Sequence, residues 1–338
     1  MQTKTTKATK NPVHFIDLAP EADSFELAAL TGLGAADKTL SAKFFYDARG
    51  SRLFEEICKQ PEYYPTRTEC SLLRDHGKDI GAAIGSDALV IEFGAGALEK
   101  VRLLLDGLDA PAGFVAIDIS GEHLLLAAQE LADELADELA AENSDLDITA
   151  ICADYTKLDA LPAPLNSTPH RKLGFFPGST IGNFSRDEAV HFLKIMHHLL
   201  GPDGMLVIGV DLKKDPAILN AAYNDAKGIT AQFNLNVLRR LNTECGATFD
   251  LDAFRHIAFY NQDKSQVEMH IESLRDQSVR LAGTVIDFKA GERIHTEISC
   301  KYSIGEFADL ARSAGWTPEQ VLTDDQSLFS LHILRTEP

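Results

Sequence analysis

The stretch IEFGAGALEK, residues 91–100, runs from an apolar segment through a glycine turn into charged, helix-forming residues. Taken with the three residues before it, ALVIEF at 88–93 reads as a strand buried on both faces. Gly94 and Gly96 let the backbone turn tightly and pass close to a ligand. The spacing predicts a helix over residues 97–108, with Glu99 in its first turn, where an acid complements the positive end of the helix dipole. Strand, glycine turn and helix in this order are half of a βαβ unit.

On the C-terminal side the same rhythm repeats. GFVAI (113–117) predicts a second strand closed by Asp118, and Ser120 opens a long helix in which Leu131, Leu135 and Leu139 recur every four residues on one face. DITAICA (147–153), LGFF (173–176) and MLVIGV (205–210) predict three more strands. Ser185 and Glu188 have the spacing of a capping box and open a helix to about residue 200. Strands alternating with helices predict a mostly parallel sheet covered on both faces, with ligands at the carboxyl ends of its strands.

After residue 210 the pattern changes. Residues 216–245 look helical, and HIAFYN, QVEMHIES, VRLAGTVIDF and IHTEISCKYS then follow without helices between them, which predicts an antiparallel meander. A helix over 304–314 and strands near 320–322 and 328–334 return to the first architecture. The expectation is a doubly wound domain interrupted by a second unit, with the residues before about 68 packed against that unit.

Composition narrows the function. With 45% hydrophobic and 25% charged residues in 338, the chain has the profile of a soluble globular protein. The balance of 32 Lys and Arg against 51 Asp and Glu gives a net charge of −19, which disfavours nucleic acid and anionic membranes as partners and leaves small molecules open. No apolar run reaches the roughly 18 residues of a membrane span. The start, MQTKTTKATK, lacks the apolar core of a secretory signal and reads as a disordered tail over about residues 1–12. The five cysteines are scattered without a CxxC pair, so neither disulfides nor structural zinc is expected and a cytoplasmic protein fits. His191 and His198 share a helix face two turns apart, too far to share one ion, so no metal site is expected there.

The glycine turn also bears on the cofactor class. A dinucleotide fingerprint needs a third glycine where Glu99 stands, and an acid there repels a pyrophosphate. S-adenosylmethionine (SAM) carries a sulfonium, an amino-acid head and an adenosine, but no phosphate. Asp118 suits the ribose hydroxyls, and Asp154 with Tyr155 suits the adenine amine and ring face. The glycine turn, Asp118 and Asp154 end three consecutive strands of one sheet. SAM is favoured, and a dinucleotide is the alternative.

Four further segments carry a resemblance: YDARGSRLFEEICKQPEYYPTRTE (46–69), FFPGSTIGNF (175–184), AYNDAKGITAQFNLNVL (222–238) and TEISCKYS (296–303). Together they resemble the histidine-specific SAM-dependent methyltransferases of ergothioneine biosynthesis, over nearly the whole chain. The resemblance implies a Rossmann-like class I α/β methyltransferase domain with a seven-stranded, mostly parallel sheet (residues 69–213 and 303–338). It also implies a discontinuous α+β substrate-binding domain (1–68 and 214–302). The implied activity is stepwise Nα-methylation of L-histidine to the trimethyl betaine hercynine, by a monomer. At matching positions the implied SAM contacts are Gly94, Lys100, Asp118, Asp154 and Tyr155, beside the second close-approach glycine, Gly96. The implied histidine contacts are Tyr64, Gly178, Asn183, Tyr223, Met269, Glu297 and Ser299, with Asn183 and Tyr223 nearest the chemistry. The loop itself departs from the family, reading FGAGALEKV where small hydroxyl residues usually precede the lysine.

The residue types suit that chemistry. Glu297 and Ser299 lie two apart on one strand and face the same side, so a carboxylate and a hydroxyl can read both imidazole nitrogens. Asn183 can donate and accept, Tyr223 can donate to a carboxylate, and Tyr64 can close the pocket. Met269, on an alternating strand, reads equally as core. Tyr46, Tyr63 and Tyr64 can hold a growing ammonium against their ring faces. Two other readings remain: a relative that N-methylates another amine, such as a tryptophan derivative, and a SAM-binding protein without catalysis.

Overall fold

The computed structural model describes residues 13–18, 24–96, 98–139 and 146–337. Its strands in chain order are β1 (His14–Asp17), β2 (Ala88–Phe93), β3 (Gly113–Asp118), β4 (Ile148–Cys152), β5 (Arg171–Phe176), β6 (Met205–Asp211), β7 (Phe254–Asn261), β8 (Gln266–Ser273), β9 (Gln277–Leu281), β10 (Thr284–Phe288), β11 (Arg293–Cys300), β12 (Thr317–Thr323) and β13 (Phe329–Arg335). The helices are α1 (Phe25–Gly34), α2 (Ala48–Cys58), α3 (Tyr64–Ile84), α4 (Glu99–Leu105), α5 (Gly121–Leu139), α6 (Ala163–Asn166), α7 (Arg186–Leu200), α8 (Pro216–Ala222), α9 (Ile229–Glu244) and α10 (Ile304–Ser313).

Eight strands form the main sheet in the order β1-β4-β3-β2-β5-β6-β13-β12. The first six pair parallel, β13 runs antiparallel to β6, and β12 antiparallel to β13. All six residues of β2 are buried. Ala88 and Val90 face one apolar layer and Leu89, Ile91 and Phe93 the other, which is why the strand reads as a continuous apolar run. Helices α3, α4 and α5 cover the first layer, and α7 with α10 covers the second. Both bonds of the Ser185–Glu188 capping box form at the start of α7.

Eight strands stand where seven were expected, because His14–Asp17 adds to the sheet edge beside β4. Phe15 packs toward one layer and Ile16 toward the other, so this short strand extends both faces. Helix α4 ends at Leu105, short of residue 108. The chain must turn there so that Gly107 can lie against α3, where a Cβ on Gly81 would come within 2.0 Å of the Gly107 carbonyl. Leu131 and Leu135 of α5 are buried as their spacing implied, while the side chain of Leu139 and residues 1–12 lie outside what is described.

A third apolar cluster is built from α1, α2, α8, α9 and the smaller sheets. The helical stretch over 216–245 is two helices, because the Asp225 carboxylate accepts from the N–H groups of Ile229 and Thr230, both at 2.8 Å, and starts α9 afresh. Gly228, at φ 69°, makes the turn between them. The expected meander is a three-stranded sheet, β11-β8-β7. VRLAGTVIDF folds apart from it as the hairpin β9–β10, since Ala282 (φ 47°) and Gly283 (φ 80°) form a tight two-residue turn. Among the described residues no helix is long and apolar enough to cross a membrane.

Candidate active site

In the main sheet the chain order reverses between β2 and β5, which opens a crevice beyond their carboxyl ends. Gly94, at φ 76°, carries the chain out of β2, and its N–H donates to the Ile117 carbonyl at 2.8 Å. A Cβ there would stand 3.4 Å from the Tyr155 hydroxyl, so glycine lets Tyr155 lie over the loop. Around Gly96 a Cβ would meet nothing within 4 Å. Asp118 ends β3 and accepts from Ser120 N–H at 2.8 Å. Asp154 follows β4 and caps a short turn through Thr156. Burial, then Asp118 and Asp154, hold the Tyr155 phenol well above its usual value. Glu92 is buried behind the loop with Oε2 lacking any partner, and burial pushes its carboxyl far up despite nearby Lys100. A buried Glu92 oxygen without a partner and the open space around Gly96 fit the ammonium end and the bulk of the zwitterionic amino-acid head of SAM, and Asp118 and Asp154 fit its adenosine.

Lys100 does not point freely into the loop. Its Nζ lies 2.6 Å from Oε2 of fully buried Glu69 in α3. Burial pulls the ammonium down, but Glu69 holds it above its usual value. The same carboxylate accepts the Gly178 N–H, at 3.0 and 2.9 Å to its two oxygens. The expected backbone contact of Gly178 with substrate is thus narrowed to its carbonyl. Glu69 has room only because residue 209 is glycine, where a Cβ would stand 2.0 Å from Glu69 Oε1.

The loop after β5 reaches the smaller sheet. A Cβ on Gly182 would lie 2.8 Å from the Cys300 carbonyl and 3.2 Å from Ser299 Oγ, so glycine allows the turn Thr180–Asn183 to press on β11. Exposed Asn183 is the next residue of that turn. Glu297 pairs in register with Met269 of β8, past a bulge at residue 296, which puts both on one face. Burial pushes the Glu297 carboxyl up to about 7, against the pull of Lys301. Tyr223 sits at the end of α8, its ring edge-on to Tyr63 at 6.4 Å. Burial is the main cause of its raised phenol, with Lys301 opposing. Tyr46 and Tyr63 are both close enough to feel the charge of Glu297.

A family model described as histidine-specific methyltransferase, SAM-dependent, matches residues 25–336. The chain belongs to this family. It is 41% identical over 309 residues to the histidine N-alpha-methyltransferase of Mycolicibacterium smegmatis, covering 89% of this chain and 92% of that protein. Against the Mycobacterium tuberculosis protein of the same name, identity is 38% over 302 residues, 86% of this chain and 89% of that one. Ergothioneine biosynthesis protein 1 of Neurospora crassa is 33% identical over 314 residues, 88% of this chain but only 33% of the fungal protein. The protein is therefore a SAM-dependent methyltransferase.

The structure turns one expected contact elsewhere and adds two neighbours, Lys301 and Glu69, that the sequence did not single out. Tyr64 does not face the cleft with its hydroxyl: it donates to both oxygens of Asp211 at 2.8 Å and accepts from Lys214 at 2.6 Å. Its neighbour Tyr63 is the one beside Tyr223 and near Glu297. Fully buried Lys301 lies 2.7 Å from Asp211 Oδ2 and donates to Ser299 Oγ at 2.8 Å and to the Tyr223 hydroxyl at 3.2 Å. Strand alternation was a usable signal, since residues 297, 299 and 301 share one face. Glu69 gave no such signal, because its partner Gly178 is 109 residues away. Elsewhere among the described residues, Glu268, His270 and His295 bring ligand-type atoms within 4.8 Å of one another. Glu268 is occupied there by Asn261, Gln266 and His270, and we assign the group to packing between β8 and β11.

Proposed function

We propose that the enzyme methylates the α-amine of L-histidine stepwise to Nα,Nα,Nα-trimethyl-L-histidine, hercynine, the first step toward ergothioneine. The observation that carries this reading is the meeting of two surfaces. The cofactor crevice at the ends of β2 to β5 abuts the face of β11 that bears Glu297 and Ser299, with Asn183 at the seam. The family and the named activities of its bacterial relatives support the same substrate.

When bound, SAM supplies a methyl group on a cationic sulfur. The chain's task is to hold a neutral amine lone pair in line with it. Asn183, at the end of the β5 loop, orients the amine. Tyr223 donates to the substrate carboxylate. Glu297 accepts the imidazole N–H and Ser299 donates to the other ring nitrogen, so an apolar side chain would leave a buried carboxyl without a partner. Tyr46, Tyr63 and Tyr223 gather around Glu297, giving aromatic faces for an ammonium that gains methyl groups. In this reading the discontinuous substrate domain comprises residues 1–68 and 214–302, less the edge strand His14–Asp17, which pairs with the main sheet.

The test is incubation of the purified protein with SAM and each standard amino acid, read by mass. Histidine should gain one, two and three methyl increments. Glu297→Ala should cut histidine turnover by at least about tenfold, worth roughly 1.4 kcal/mol. No methylated histidine, or full turnover by the variant, would dismiss the reading.

A further inference from the structure

The three hydrogens of the Lys301 ammonium are all spent, and all on acceptors: Asp211 at 2.7 Å, Ser299 at 2.8 Å and the Tyr223 hydroxyl at 3.2 Å. The residue is 1% exposed, so water does not compete for them. An ammonium can only donate. Each hydroxyl oxygen that faces it must therefore accept, and the single proton of each hydroxyl turns away from it, with Ser299 and Tyr223 also within hydrogen-bond reach of each other. Asp211 anchors the arrangement. Its carboxylate also accepts from Lys214 and Tyr64, and its N–H donates to Ser179 at 2.9 Å, tying β6 to the loop after β5.

We propose that Lys301, fixed on Asp211, is a positioning residue that turns the hydroxyl protons of the Ser299–Tyr223 pair away from itself, so that the cleft presents directed hydroxyl donation beside one acceptor, Glu297. The proposal rests on histidine being the substrate. Its consequence is specific: the site selects a neutral imidazole, whose N–H meets Glu297 and whose bare nitrogen meets Ser299. A ring with no nitrogen gains nothing from either group.

The test compares histidine with β-(2-thienyl)alanine, a five-membered aromatic analogue without ring nitrogens, by the ratio of their kcat/KM values. Lys301→Met keeps length and burial, and Asp211 retains Lys214 as counter-ion. The ratio should fall at least about tenfold, with binding of the demethylated cofactor product unchanged by calorimetry. Ser299→Ala should lower it to a similar degree, and adding Ser299→Ala to Lys301→Met should lower it little further. Lys301→Gln, which keeps a donor, should recover part of the loss and serves if the methionine variant does not fold. A purely structural role would slow both substrates alike, so a ratio within about twofold of the parent in a folded variant overturns the proposal. Failure of the substrate reading shows separately, as no histidine turnover by the parent enzyme.

Discussion

Replacing Glu69 with Gln removes one charge from a fully buried site without changing its shape. Lys100 then keeps its ammonium, largely enclosed at 17% side-chain exposure, with its partner at 2.6 Å gone. Breaking a buried pair on one side costs about 3–5 kcal/mol, and the residual exposure of Lys100 favours the lower end. The Gly178 N–H loses its charged acceptor, which is worth about 1–2 kcal/mol, though the amide oxygen replaces part of it. The sum predicts a loss of about 3–4 kcal/mol in urea unfolding at pH 7. Lys100→Met should cost a comparable amount, and the double variant should cost less than the two singles together by about 2 kcal/mol. Because Glu69 ties the helix after the glycine turn to the β5 loop, affinity for SAM should weaken about tenfold, roughly 1.4 kcal/mol. A Glu69→Gln cost below about 1 kcal/mol, or single costs that add within about 0.5 kcal/mol, would refute the idea that this pair clamps the cofactor loop.

Two further outcomes follow from the same geometry. Gly182→Ala forces a methyl to within 2.8 Å of the Cys300 carbonyl and so lifts Asn183 from β11; kcat/KM for histidine should fall at least about tenfold while SAM affinity stays within about twofold, and an unchanged kcat/KM would refute the seam. With its carboxyl at about 7, Glu297 is protonated in acid and accepts an imidazole N–H more strongly once ionised, so histidine affinity should tighten as pH rises through about 7. Glu297→Gln should keep only the pH dependence of histidine's own groups, and identical profiles for the two proteins would refute the assignment.

Much of this site could be read in the sequence where the information was local. The continuous apolar run of β2, the positive-φ glycine after it and the Ser185–Glu188 cap each follow from a few neighbouring residues. Glu297 and Ser299 shared a face through simple strand alternation. What stayed hidden depended on distant partners. His14–Asp17 looks like loop until β4 offers it an edge. The tyrosines at 63 and 64 are adjacent in sequence, and only the entry angle of α3 decides that Tyr64 turns to Asp211 while Tyr63 turns to Tyr223. The role of Lys100 was implied by the family, but its pairing with Glu69 required the α3–α4 packing.

The Asp211 cluster also bears on how the chain folds. Tyr64, Asp211 with Lys214, and Lys301 each stand where the chain passes between the main sheet and the smaller assembly, and Asp211 is separated from them by up to 147 residues. Contacts of such long range form slowly, because loop closure precedes the reward. A ribosome that has released β6 but not yet residue 301 holds a chain in which Asp211 lacks one of its two cationic partners, so the centre of the sheet cannot settle as a finished unit. The two cores thus consolidate together and late. A fragment ending before β11 should expose the apolar face of β6 and recruit chaperones, and neither core should be recoverable by trimming the gene to one of them.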